Sequence, residues 1–154
     1  MVEDDRATRE LLSTILTEEQ LAFVLCGNGH EAMALARATP PSMVILDLHL
    51  PSVPGEALAT ALRIDHGASL PVLAMSAGAE ADAARRLGAY AYLQKPFELE
   101  DLVRLVREGL ALAERAATAR ANAAVARQRI EEALQRQRAV VSAPPAEPDA
   151  RAAS

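Results

Sequence analysis

Five polar side chains in this 154-residue chain stand at the close of short apolar runs or just beyond them. Glu3 and Asp4 follow Met1-Val2, Asp47 ends Met43–Leu46, Ser76 ends Leu70–Met75, and Lys95 lies just past Ala89–Leu93. A carboxylate that closes an apolar run carries a large burial cost unless it is paired or bound to a metal. Carboxylates a few ångströms apart raise one another's pKa unless a cation lies between them. A hard divalent ion with oxygen ligands meets that need. Mg²⁺ is the first choice, because it keeps several waters and an open position for a phosphate oxygen. An aspartate beside such an ion can act as nucleophile toward a phosphoryl group, with metal and lysine neutralising the charge on the equatorial oxygens. Lys95 is the single lysine among 16 basic residues, so a chain that otherwise uses arginine departs from that habit at this position. A compact ammonium delivers a point charge into a narrow site, where a guanidinium needs room for a planar fork.

Each residue also has a plainer reading. Glu3 to Asp5 could be an acidic cluster opening a helix, favourable to its dipole. Ser76 could cap the next helix. Lys95-Pro96 could simply leave the sheet, with Pro96-Phe97-Glu98 as a helix start. Asp47 is the hardest to explain structurally, and the joint placement of all five says more than any one of them.

The elements that must position them follow from periodicity. Leu21–Leu25, Met43–Leu46, Leu70–Met75 and Ala89–Leu93 read as short strands apolar on both faces. Thr8–Leu16, Glu31–Ala38, Glu56–Leu62 and Ala79–Leu87 carry helical spacing between them. Strands buried on both faces belong to parallel sheets covered by helices, which predicts an α/β, doubly wound, five-stranded parallel sheet with Met1-Val2 as the stub of a first strand. In such a sheet ligands bind beyond the carboxyl ends of the strands, where the five polar residues converge.

From Glu98 onward Leu99, Leu102, Val103, Val106 and Leu110 keep an apolar helical face, which runs into an alanine- and arginine-rich stretch through about residue 138. A continuous helix of that span is roughly 60 Å long, too long to pack entirely on a domain of this size. A coiled-coil seam over Val103, Val106, Leu110, Ala113 and Ala117 fails at Arg120 and Arg127. The expected organisation is a domain over 1–108, a helical extension over 109–140 and a disordered Pro- and Ala-rich tail over 141–154.

Composition narrows the class. No apolar run is long enough to span a bilayer, and the acidic N-terminus is wrong for a secretory signal, so a cytoplasmic protein without membrane partners is expected. The lone cysteine, Cys26, has no partner for a disulfide and reads as a small buried residue. A net charge of -5 argues against nucleic acid, and the 6 arginines against 3 acids in residues 109–140 read as a solvated helix.

The quoted residues resemble the receiver domain of bacterial two-component response regulators. The likeness rests on Val2-Glu3-Asp4-Asp5, on Ile45-Leu46-Asp47-Leu48 with Pro51 and Gly55, on Ala74-Met75-Ser76-Ala77, and on Gly88-Ala89 through Tyr92 to Lys95-Pro96-Phe97. It implies a flavodoxin-like fold with strand order 2-1-3-4-5. It also implies that Asp47 accepts a phosphoryl group from a sensor histidine kinase or phosphotransfer protein, and that a downstream protein reads the result. Mg²⁺ would be held by Asp4, Asp47 and the backbone carbonyl of His49, with Glu3 acting through water. Ser76 would hydrogen-bond the phosphoryl oxygen, Lys95 would pair with it, and Tyr92 would report the switch by its rotamer. Such a domain is not an enzyme beyond its own phosphorylation and dephosphorylation.

Three departures from the family pattern carry expectations of their own. Only Met1-Val2 precede the acidic pair, so an upstream start is expected. The stretch from Ser76 to Gly88 is shorter than the pattern, which predicts a short fourth helix or a trimmed loop. His49 and Gly78 occupy positions where the family tunes dephosphorylation, and His49 is read as exposed. The alternatives are a receiver-like interaction module that is not phosphorylated and that docks or homodimerises through its C-terminal helix, or a receiver fragment of a larger regulator or hybrid kinase.

Overall fold

A computed structural model describes residues 1–51 and 53–141, with side chains described through residue 138. Helix α1 spans Arg6–Glu18, α2 Gly29–Ala38, α3 Gly55–His66 and α4 Ala81–Arg86, while α5 runs Leu99–Val141. Three parallel strands, β1 (Val44–Asp47), β2 (Val72–Ser76) and β3 (Ala91–Gln94), pair in the order β1-β2-β3. Two isolated parallel bridges, Val2 to Cys26 and Val2 to Leu46, continue the sheet past β1. The order across the whole layer is therefore Cys26, Val2, β1, β2, β3, which is the 2-1-3-4-5 sequence of a doubly wound sheet.

The expected second strand, Leu21–Leu25, is absent among the described residues, while Met1-Val2 is the stub expected. The one bridge on that side of the sheet joins Val2 to Cys26, just past the run, so the run itself has no ladder to join. A strand needs a neighbour to satisfy its N–H and C=O groups, and Val2 supplies only one bridge on this side. Beside it lies a largely apolar cleft of about 360 Å³, lined by Phe23, Val24, Met43 and Ile45 among others. The N-terminal ammonium sits at that cleft, bonded to the Val24 carbonyl at 2.7 Å, and burial lowers its pKa.

The period-two alternation of the strands splits the core into two layers. Val44, Leu46, Val72 and Ala74 face α2 and α3 through Ala32, Ala36, Leu58 and Leu62. Ile45, Leu73, Met75 and Leu93 face α1 and α5 through Leu12, Ile15, Leu102 and Val106. Fully burying each large aliphatic side chain contributes roughly 1.5–3 kcal/mol. Short caps place the helices: Asp5 accepts from the Thr8 N–H to start α1, and Asn28 accepts from the Glu31 N–H to start α2. Gly88 adopts φ of 70° after the six-residue α4, a turn that glycine makes without strain. The short α4 matches the abbreviated stretch seen in the sequence.

The chain divides into two compact units, Met1–Ala116 and the residues from Ala117 on, and α5 contributes to both. In the second unit Val125, Ile130 and Leu134 are exposed, and Glu132 pairs with Gln128 and Arg136 along the helix surface. Of the tail expected over 141–154, Val141 ends α5 and residues 142–154 lie outside the described residues.

In the first unit α5 seats against Tyr90. A Cβ on Gly109 would come within 2.5 Å of the Tyr90 hydroxyl, which donates to the Leu105 carbonyl at 2.6 Å, so only glycine permits this approach. Burial, and secondarily the charge of Glu108, raise the Tyr90 phenol to about 12. An unfolded tyrosine loses its proton near pH 10. Between those values the unfolded chain binds fewer protons than the folded one, so stability falls as pH rises through that window. Denaturant unfolding at several alkaline pH values should show a shallower loss of stability for Tyr90→Phe than for wild type. Parallel losses in the two proteins contradict this assignment.

Candidate functional site

Parallel register brings the polar residues together. Asp47 pairs in the ladder with Met75, and Ser76 with Gln94, so the ends of β1, β2 and β3 lie side by side. The Leu48 N–H donates to the Met75 carbonyl at 2.9 Å and the Lys95 N–H to the Ser76 carbonyl at 2.8 Å, which holds the spacing just past the strands. Val2 fixes the acidic pair at the same edge: the Asp47 N–H donates to the Val2 carbonyl, and the Glu3 N–H to the Cys26 carbonyl. Arg9 completes the cradle by donating to the carbonyls of Glu3 at 2.7 Å and Asp4 at 2.6 Å.

Glu3 is fully buried and Asp47 nearly so, at 0% and 5% exposure. Two buried carboxylates at one strand edge would repel strongly, and a single ammonium removes the conflict. Lys95 Nζ donates to Glu3 Oε2 and to Asp47 Oδ2, each at 2.6 Å. The remaining oxygens are served by backbone: the Asp5 N–H reaches Glu3 Oε1 at 3.2 Å, and the His49 N–H reaches Asp47 Oδ1 at 2.8 Å. Burial pushes the Glu3 carboxyl up, against the opposing hydrogen bond from Lys95, and the Asp47 charge pushes it further. Burial alone would lower the Lys95 ammonium, but its hydrogen bonds to Asp47 and Glu3 and their charges together outweigh that and raise it.

Asp4 is exposed and adds a third carboxylate, and one oxygen each from Glu3, Asp4 and Asp47 lie within 4.8 Å of one another. When ionised, three carboxylates against one ammonium leave two negative charges, and the donor set is all oxygen. That set fits a hard divalent cation. Asp5 belongs to the plainer reading: its side chain caps α1, bonding the Thr8 N–H and hydroxyl.

Ser76 is also fully buried, and its hydroxyl faces a residue that sequence reasoning missed. Ser76 Oγ donates to Glu80 Oε2 at 2.8 Å and accepts from the Gly78 N–H at 3.1 Å, with His49 Nδ1 3.3 Å away. Glu80 Oε1 in turn lies 3.1 Å from His49 Nε2. His49 is 59% exposed at its side chain, yet it is engaged at both ring nitrogens rather than simply solvated. Tyr92 donates its hydroxyl to the Gly78 carbonyl and accepts from the Glu80 N–H at 3.3 Å, so it contacts the loop after β2 rather than Ser76 itself. The only signal for Glu80 was an acid in the short segment after Ser76. Arg9 carried none beyond its place on the first helix.

A family model for the response regulator receiver domain matches residues 1–107. The chain belongs to this family. The DNA-binding transcriptional regulator NtrC of Salmonella typhimurium is 32% identical over 113 residues, covering 71% of this chain and 24% of that protein. The chain thus spans about a quarter of the length of that relative. The receiver domain of NtrX from Brucella abortus is 28% identical, with a TM-score of 0.67 over 71% of this chain and 95% of its own. The receiver domain of the sensor histidine kinase PA1611 from Pseudomonas aeruginosa shares the fold at 22% identity and a TM-score of 0.66, over 71% of this chain and 93% of that one. Its structure has a magnesium ion coordinated in the active-site cleft. Residues 1–107 are therefore a receiver domain of the response regulator type, and helix α5 runs on past them to Val141.

In this receiver Lys95 is what makes the buried acidic pair tolerable. Removing one partner of a buried ionic group costs about 3–5 kcal/mol, because the remaining charge is left uncompensated. Lys95→Met should lose stability on that scale in urea unfolding at neutral pH without divalent metal. Adding Glu3→Gln should recover part of the loss. A single variant as stable as wild type contradicts the account.

Proposed function

We propose that this receiver is a phosphoacceptor switch in which Asp47 takes a phosphoryl group from a phosphohistidine on a sensor histidine kinase or phosphotransfer protein. The observation that carries the reading is the buried Asp47 carboxylate held 2.6 Å from the chain's one lysine, beside two further carboxylates. An Asp47 oxygen attacks phosphorus, the new O–P bond forms as the N–P bond breaks, and the imidazole nitrogen leaves with that electron pair. Lys95 shifts from its carboxylate partners toward the transferred oxygens and neutralises part of their charge. Ser76 donates its hydroxyl to a phosphoryl oxygen, and Tyr92 follows the loop that carries Gly78 and Glu80.

Mg²⁺, held by Asp4, Asp47 and the His49 carbonyl with Glu3 through water, would supply the remaining charge neutralisation when bound. The magnesium in the PA1611 receiver and the all-oxygen donor set support that choice. The reading places the protein in the cytoplasm, where kinase and phosphodonor are found. Among the described residues no helix is long and apolar enough to cross a membrane. It assigns no turnover beyond the receiver's own phosphorylation and dephosphorylation. The signal passes to a downstream protein by a population shift biased by one local charge.

Incubation with acetyl phosphate and Mg²⁺ followed by intact-mass measurement tests this. Wild type should gain one base-labile phosphoryl group, Asp47→Ala none, and chelation of Mg²⁺ should abolish the gain. Lys95→Arg, which keeps the charge but brings a planar fork, should slow it. An adduct of equal yield on Asp47→Ala sinks the assignment.

A further inference from the structure

Glu80 stands outside the acidic cluster, yet its carboxylate holds the hydroxyl that a phosphoryl group on Asp47 would need. Ser76 has a single O–H, and in this structure it points to Glu80 Oε2 at 2.8 Å. The residue is fully buried, and the other side-chain atom beside its hydroxyl is His49 Nδ1, farther off at 3.3 Å. The Glu80 side chain is pinned from the other side by His49 Nε2 at 3.1 Å, and its backbone N–H is bonded to the Tyr92 hydroxyl. Although Glu80 occupies the N-cap position of α4, its side chain makes no capping bond there. It accepts from Ser76 and lies 3.1 Å from His49 Nε2 instead.

We propose that Glu80 is a positioning residue that competes with the phosphoryl group for the Ser76 hydroxyl and thereby sets how firmly this receiver holds phosphate. The proposal rests on the phosphoacceptor reading of Asp47. A hydrogen bond from hydroxyl to carboxylate is charge-assisted and stronger than a neutral one. A phosphoryl group also carries a charge near -2 and needs the same proton. One donor cannot serve two anions at full strength. Either Ser76 turns to the phosphoryl oxygen and Glu80 loses its partner, or the phosphoryl group forgoes the hydroxyl. Both outcomes weaken the phosphorylated state relative to a chain lacking that carboxylate. Glu80 is also the residue before α4, and its backbone N–H bonds the Tyr92 hydroxyl, so the contested carboxylate belongs to the residue that links Ser76 to that tyrosine.

Beryllofluoride with Mg²⁺, a non-covalent stand-in for the phosphoryl group, measures the competition without hydrolysis. Calorimetric titration of the full chain should show affinity for beryllofluoride rising on the order of tenfold in Glu80→Gln and Glu80→Ala, the scale of one charge-assisted hydrogen bond. Mg²⁺ alone should bind all three proteins equally, since Glu80 lies outside the Glu3, Asp4 and Asp47 cluster. In a Ser76→Ala background the contested proton is gone, and Glu80→Gln should then produce no further gain. Equal beryllofluoride affinity in wild type and both Glu80 variants overturns the proposal. A gain that persists in Ser76→Ala also overturns it, because the effect is then repulsion through space. No beryllofluoride binding to wild type, together with no mass adduct, overturns the phosphoacceptor reading and this proposal with it.

Discussion

The structure turns on one ammonium between two buried carboxylates. Lys95 comes from the end of β3, Asp47 from the end of β1 and Glu3 from the stub beside it, so three separate parts of the chain must meet within hydrogen-bond distance. A parallel sheet with its strand ends aligned achieves this, and a one-residue slip in register would turn those side chains to the other face. As a device for stability the arrangement is poor, since a buried ion pair often gains no more than well-packed apolar residues of the same volume. Its value is chemical. On the proposed reading, the same ammonium that neutralises Glu3 and Asp47 at rest also meets an anion arriving at Asp47.

The constraint propagates outward through hydrogen bonds that leave few groups idle. Arg9 ties the carbonyls of Glu3 and Asp4, and Asp5 starts α1, so the acidic loop is held from the first helix. On the other side Ser76, Glu80, His49 and Tyr92 form a second polar set around the loop after β2. The two sets touch at the backbone, where the Lys95 N–H meets the Ser76 carbonyl and the His49 N–H meets Asp47. On the proposed reading, a charge placed on Asp47 acts on two networks at once, one around the acidic cluster and one around the loop that leads to α4. That is the structural content of a local electrostatic event with a wider readout.

The sequence made the fold class and the acidic cluster legible because both depend on features that a one-dimensional pattern carries. Apolar runs such as Met43–Leu46 and Leu70–Met75 declare buried strands, and a carboxylate or hydroxyl at the close of such a run declares a strand-end site. Leu21–Leu25 carried the same apolar signal and forms no strand, since pairing depends on a neighbour that Val2 alone cannot replace. Glu80 was illegible for a different reason. Whether an acid four residues after Ser76 turns back to it or points to solvent depends on loop conformation, which periodicity does not encode. His49 read as exposed and is exposed, but its ring is also held by Glu80 across 31 positions of sequence. The close seat of Gly109 on Tyr90 is likewise a tertiary fact, visible only once α5 is laid on the sheet.

The central claim is that Asp47 itself carries the phosphoryl group, and borohydride trapping addresses that most directly. Reduction of an aspartyl phosphate converts the residue to homoserine, which peptide mass spectrometry locates. After treatment with acetyl phosphate and Mg²⁺, homoserine should appear at position 47 and nowhere else. Aspartate left intact at position 47 while another residue is reduced would contradict the account.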